Sequence, residues 1–97
     1  MTRKLKLDDQ IRPVPEVLVQ KVGDEAVVLN LNSEEYLGFD PVGARMWEVL
    51  TTVPSLRSGL DILLSEYDVD AERLEVDLLA FADQLIGRGL AAIATAP

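Results

Sequence analysis

The chain contains neither cysteine nor histidine. The first absence removes disulfides, zinc–thiolate sites and thiol catalysis, and it is compatible with a reducing compartment. The second removes the commonest general base and the commonest metal ligand. An enzyme would have to work with carboxylates or lysine alone, so no cofactor and no metal is expected, and the chain reads as non-catalytic. Basic residues are also few: nine Lys and Arg stand against seventeen Asp and Glu, for a formal net charge of −8. A phosphate-tracking surface needs clustered Lys and Arg. Here Arg3, Lys4, Lys6 and Arg12 fall in the first twelve positions and the rest are scattered, so nucleic acid is not an expected partner. A charged partner would be basic, because Asp61, Glu66, Asp68, Asp70, Glu72, Glu75, Asp77 and Asp83 are opposed only by Arg73 and Arg88 in the C-terminal third. No apolar run approaches the length of a membrane span, and the basic N-terminus lacks the apolar core of a signal peptide. A cytosolic protein without membrane contact is expected. Aromatics make up 5% of the residues, so Tyr36, Phe39, Trp47, Tyr67 and Phe81 each carry weight.

What the chain does have is 48% apolar residues over a length of 97, enough for one domain with a modest core. Residues 1 to 12 are polar and without periodicity, and read as a flexible basic arm; residues 13 to 97 form the domain. Pro13 and Pro15 suit an extended entry. Glu16 to Val22 is rich in Val and Leu and predicts a first strand. Gly23-Asp24-Glu25 predicts a turn. Ala26 to Leu31 predicts a second strand with Val27, Leu29 and Leu31 on one face at period two. After the turn at Asn32-Ser33-Glu34, Glu35 to Phe39 predicts a third strand, in which Gly38 interrupts the pattern.

Three helices follow. Asp40 is a good N-cap and Pro41 suits the first helical position, so a helix is predicted over 41 to 51. Ser55 caps a second over 56 to 67. Gly59 weakens it by about 1 kcal/mol relative to Ala, and close packing would be its reason. Asp70 caps a third over 71 to 86, with Glu72 and Glu75 complementing the helix dipole and Gly87 and Gly89 as stop signals. Leu90 to Ile93 predicts a short extended tail packing back on the body. The fold class is α+β, a winged-helix-like three-stranded antiparallel sheet followed by three helices.

On the third helix Leu74, Leu78, Phe81 and Leu85 form a stripe at spacings of four, three and four, widened by Ala82. Arg73, Asp77, Ala80 and Gln84 line one flank of it, and Val76, Leu79 and Ile86 fall towards the other. The stripe serves either a wide buried face or a groove with one shoulder exposed. Glu34, Glu35 and Gly38 are typical of an exposed strand edge. They either discourage aggregation or keep the edge open for one peptide strand. Tyr36, Leu37 and Phe39 then point alternately to the body and to the groove, with a parity that depends on whether the turn contains a bulge. Asp68, Asp70 and Glu72 alternate like calcium-loop acids but lack the glycine and the distal Glu, and helix capping accounts for them. Asp77 forms either a surface ion pair with Arg73 or a groove-wall group for a peptide N–H or a basic side chain.

These pieces, in this order, resemble the PqqD-like proteins, also called RiPP recognition elements. The residues that carry the resemblance are Val28-Leu29-Asn30-Leu31, a polar turn, then the run Tyr36-Leu37-Gly38-Phe39-Asp40-Pro41-Val42-Gly43-Ala44-Arg45-Met46-Trp47-Glu48-Val49-Leu50. Tyr67-Asp68-Val69-Asp70, Val76 to Phe81, Leu85-Ile86 and Arg88-Gly89-Leu90 continue it. The Gly38-Phe39-Asp40-Pro41 junction is similar to the stand-alone proteins of lasso-peptide biosynthesis. At the turn, where the family favours Gly, this chain has Glu34.

The resemblance implies a module that binds the leader segment of a precursor peptide and does no chemistry. The leader would add antiparallel to the third strand, pairing with Glu34, Glu35, Tyr36 and Leu37. It would lie against Arg73, Leu74, Asp77, Leu78 and Phe81 of the third helix, with Val27 or Leu29 reaching the same cleft. It would be delivered to a separate leader peptidase, a cysteine protease of transglutaminase-like fold, working with a macrolactam-forming cyclase. The competing function is a winged-helix DNA-binding regulator, and the four acids against one Arg within residues 71 to 86 speak against it.

Overall fold

The meander forms where Val and Leu are concentrated between turn residues, and the computed structural model describes residues 4–94. β1 (Gln10–Pro13) precedes β2 (Val17–Val22), β3 (Glu25–Asn30) and β4 (Tyr36–Phe39); α1 (Pro41–Leu50), α2 (Leu56–Glu66) and α3 (Ala71–Gly87) follow, and β5 (Ala91–Ala94) is the last element among the described residues. The three predicted strands are β2, β3 and β4, a three-stranded antiparallel sheet in that order, and the fold is α+β.

All three helices start as their sequences dictate. The Asp40, Ser55 and Asp70 side chains accept from the backbone N–H of Gly43, Ser58 and Arg73, filling donors that a helix N-terminus leaves open. Leu50, Leu56, Leu63, Leu78 and Leu85 of the helices are fully buried, in one core with Val28 of β3. Gly59 has the packing reason expected of it: a Cβ there would stand 2.6 Å from a methyl of Leu50.

The face of β3 turned to the helices carries Ala26, Val28 and Asn30, not Val27, Leu29 and Leu31. Periodicity shows that alternate residues share a face and not which face is covered. Asn30 holds its inward place by hydrogen bonding. Its Oδ1 accepts from the N–H groups of Asn32 (2.8 Å) and Ser33 (3.0 Å), and its Nδ2 donates to the Gly89 carbonyl (2.8 Å). One side chain thus joins the β3–β4 hairpin to the end of α3. The hairpin holds a bulge: Asn30 accepts from the Glu34 N–H and donates to the Glu35 carbonyl, both at 2.8 Å, with Glu34 at φ 65°. That left-handed position is one glycine fills without strain.

The reading of residues 1 to 12 as a flexible arm is corrected from Leu5 onward; Met1 to Arg3 lie outside the described residues. Leu5 and Ile11 are core residues. β1 pairs with β5 in a second, two-stranded sheet, Gln10 opposite Ala94 and Ile11 opposite Ile93. The segment also serves the helices. The Leu7 and Asp9 carbonyls accept from the first N–H groups of α2, those of Arg57 and Leu56. Arg12 donates to the carbonyls of Thr51 and Val53 just past α1, which has no basic residue in its last turn. The segment looks polar because most of its side chains are, but Leu5 and Ile11 anchor it in the core and its backbone bonds β5 and the start of α2.

On the surface, Arg45 of α1 bonds Glu66 of α2 through two nitrogens. That pairing holds the Glu66 carboxyl below its ordinary range. A lowered folded value means that the carboxylate's contribution is present above the unfolded pKa and is lost as pH falls through the folded one. Glu66→Gln is therefore expected to lose less thermal stability than the parent between about pH 6 and about pH 3. Melting curves across that range check it; parallel losses in both proteins would reject it.

Candidate functional site

β4 is bonded on one side only, since the order β2-β3-β4 leaves its second edge without a strand partner among the described residues. One bond fixes which backbone groups face that edge. The Asn30 N–H donates to the Glu35 carbonyl, and along an antiparallel strand residues bonded to a neighbour alternate with residues turned away from it. Val28 is opposite Leu37 and Ala26 opposite Phe39, so Leu37 and Phe39 direct their backbone groups at β3. Tyr36 and Gly38 turn their N–H and C=O groups to the open edge.

Side chains alternate in the other direction. Leu37 packs against the core and Phe39 is buried within it, while Tyr36 is 65% exposed on the outer face of the sheet. The inner side of β4 therefore borders a groove of about 380 Å³. Leu37, Gly38 and Phe39 form one wall. Asp77, Phe81 and Gln84, at helical spacings of four and three, form the other, and Val42, Gly43 and Met46 of α1 close an end. The Phe39 ring lies 5.3 Å from that of Phe81 and 6.1 Å from that of Trp47, so an aromatic cluster joins both walls. Gly43 keeps α1 close to β4, since a Cβ there would stand 3.2 Å from the Phe39 Cβ. Asp40 and Asp77 set carboxylates at the mouth, and Arg73 approaches Asp77 only to 3.6 Å with both side chains more than half exposed. An open edge above an apolar trough with acidic margins suits an extended peptide.

Of the residues expected from the sequence, Leu37, Asp77 and Phe81 line this groove. Tyr36 lies on the edge strand and Arg73 at the start of α3, but Glu35 and Leu37 turn their backbone groups to β3, so the expected pairing of those two residues with a peptide is corrected. Leu74 is half-buried against the core. Three further expectations are corrected. Leu78 is completely buried, because it sits at the centre of the α3 stripe, and it cannot form a wall. Val27 and Leu29 lie opposite Gly38 and Tyr36 on the outer face, because the covered face of β3 is that of Ala26 and Val28. Glu34 shapes the bulge, its N–H bonded to the Asn30 carbonyl. The sequence reading missed Phe39, Val42, Gly43, Met46 and Gln84 as lining residues. Gln84 was visible, seven residues after Asp77 on the same flank of α3; the α1 residues depend on how Asp40-Pro41 aims that helix.

Among the described residues no group of acids is placed to hold a metal ion, and no helix is long and apolar enough to cross a membrane.

The sequence matches the family described as coenzyme PQQ synthesis protein D (PqqD) over residues 25–91. Two solved structures are similar along most of the chain. One, described as TbiB1 in complex with the TbiA(beta) leader peptide, is 30% identical; the match covers 89% of this chain and 99% of that one, with a TM-score of 0.78. The other, described as lasso peptide synthetase B1 complexed with the leader peptide, is 28% identical over 86% of this chain and 98% of that one, with a TM-score of 0.76. No curated protein sequence matches the chain.

Proposed function

This chain belongs to the family of coenzyme PQQ synthesis protein D, and on that premise we propose that it is a non-catalytic module that binds the leader segment of a lasso-type precursor peptide. The observation that carries the proposal is the coincidence of the open β4 edge with the apolar groove against α3, in a chain similar to two solved proteins that hold leader peptides. The leader adds antiparallel to β4, bonding the backbone of Tyr36 and Gly38, and drops alternate side chains between Leu37, Phe39 and Phe81. Magnitudes assign the roles. Four edge bonds net about 0.5–1.5 kcal/mol each, and association costs at least about 4 kcal/mol. The bonds set direction and register, and side chains buried in the groove supply the affinity. The module then presents the precursor in the cytosol to a separate leader peptidase of transglutaminase-like fold, whose product passes to a macrolactam-forming cyclase.

Strand polarity dictates the test. Pro at position 36 removes an N–H that faces outward and is tolerated on an edge strand; Pro at position 37 would instead remove a donor to β3 and endanger the fold. Tyr36→Pro is expected to remain folded by circular dichroism and to bind the leader of the precursor encoded beside its gene at least about tenfold more weakly than the parent in fluorescence polarisation. Equal binding by a folded Tyr36→Pro protein would rule out strand addition at this edge.

A further inference from the structure

Gly38 is a glycine that the isolated fold does not require. Its φ is not in the left-handed region, where Gly23 and Gly89 lie. Beyond Gly38 itself and its two chain neighbours, no atom stands within 4 Å of the Cβ position it lacks. It occupies the interior of a strand, where glycine has low propensity and offers nothing to pack. Neither backbone conformation nor close packing within the chain accounts for it. Glycine in a strand also marks a place where another backbone or ligand comes close.

The surroundings say what comes close. Gly38 lies opposite Val27, so its missing side chain leaves a notch on the outer face of the sheet. That notch opens into a second depression of about 460 Å³, lined by Val22, Val27 and Gly38 with Glu25 and Asp40 at its margin. Gly38, Phe39 and Asp40 border both this depression and the groove against α3; the strand edge is the ridge between them. A peptide strand on that edge has a side-chain period of two. Residues opposite Leu37 enter the groove, and the residue opposite Gly38 must point to the outer face.

We propose that the notch over Gly38 is a second subsite, which takes an aromatic side chain from the outward-facing parity of the same bound peptide. A flat ring opposite a strand glycine can lie across it, as aromatic residues do over glycines in paired strands, and here it would reach Val27 beyond. Aromatic side chains gain most from such a contact because they combine large apolar area with few rotors. The proposal rests on strand addition at β4 but adds to it: recognition reads both faces of the peptide, apolar residues at alternate positions for the groove and an aromatic one between them for the notch.

A display library of random peptides, selected in parallel on the parent and on Gly38→Val, tests it. Valine suits a strand and fills the notch, and the fold of the variant is verified by circular dichroism. The parent is expected to enrich apolar residues at two alternate positions with an aromatic residue between them. Gly38→Val is expected to keep the alternate pair and lose the aromatic, and to bind the parent's selected peptides on the order of tenfold more weakly. Replacing that aromatic by Ala should weaken binding to the parent and not to Gly38→Val. Identical enrichment on both proteins overturns the subsite while leaving strand addition standing. If Tyr36→Pro binds the parent's peptides as well as the parent does, strand addition itself falls and the subsite with it.

Discussion

Removal of residues 1 to 9 is expected to lower the unfolding free energy by about 4 kcal/mol. The sum comes from burial of Leu5 and part of Leu7, together with the two bonds from the Leu7 and Asp9 carbonyls to the first turn of α2. A small domain has only about 5–15 kcal/mol in total, so the shortened chain should show a much lower urea midpoint or no cooperative transition. The outcome discriminates between two descriptions of the same residues. A loose basic arm would leave the midpoint where it was. The structure instead places Leu5 in the core and uses the Leu7 and Asp9 carbonyls as acceptors for the first turn of α2. A midpoint unchanged after the deletion would contradict that role.

Asn30→Ala is expected to cost about 3 kcal/mol. The side chain is 8% exposed and makes three hydrogen bonds, to the N–H groups of Asn32 and Ser33 and to the Gly89 carbonyl. Replacing it strands those partners, and each buried group left unsatisfied costs about 1–3 kcal/mol; access of water to the exposed turn brings the total towards the lower end. Asn30→Asp separates the parts. A carboxylate can still accept from the turn N–H groups but has no donor for Gly89, so its loss should be smaller in the hairpin and concentrated at the α3 end. Hydrogen exchange of the Asn32 and Ser33 amides, set against exchange in the last turn of α3, reads the two ends independently. Equal stability of Asn30→Ala and the parent would mean that Asn30 does not tie hairpin to helix.

The extent to which the sequence disclosed this molecule follows from what kind of signal each feature leaves. The helices were legible because Asp40-Pro41, Ser55 and Asp70 write their own starts, and each caps as its chemistry demands. β2 was legible from its run of Val and Leu, β3 from alternation, and the limits of β2 to β4 from Gly23 and the Asn32–Glu34 turn. β1 was not, because four residues with Arg and Pro among them carry no alternation, and their partner lies at the far end of the chain at Ala91–Ala94. Leu37, Asp77 and Phe81 border the groove as expected because each lies on an element whose period was legible. Leu78 was assigned to the wall because the stripe on α3 is symmetrical in sequence and only packing shows which of its members is the centre. Val27 and Leu29 were misplaced because parity in β3 depends on Asn30, a polar residue whose inward position rests on a bond to Gly89 that no local pattern encodes.

The pairing of β1 with β5 has a kinetic consequence. Gln10 meets Ala94 and Pro13 meets Ala91, so the first described strand is among the earliest parts of the domain to be synthesised and waits for the last. The meander and α1 can assemble from contacts close in sequence, but the β1–β5 ladder closes a loop that spans most of the domain, the kind of contact that slows folding. While Ala91–Ala94 are still within the ribosome, Ile11 has no strand to pair with, and the nascent chain holds only part of its native sheet structure. The final locking step therefore belongs to the moment those residues emerge.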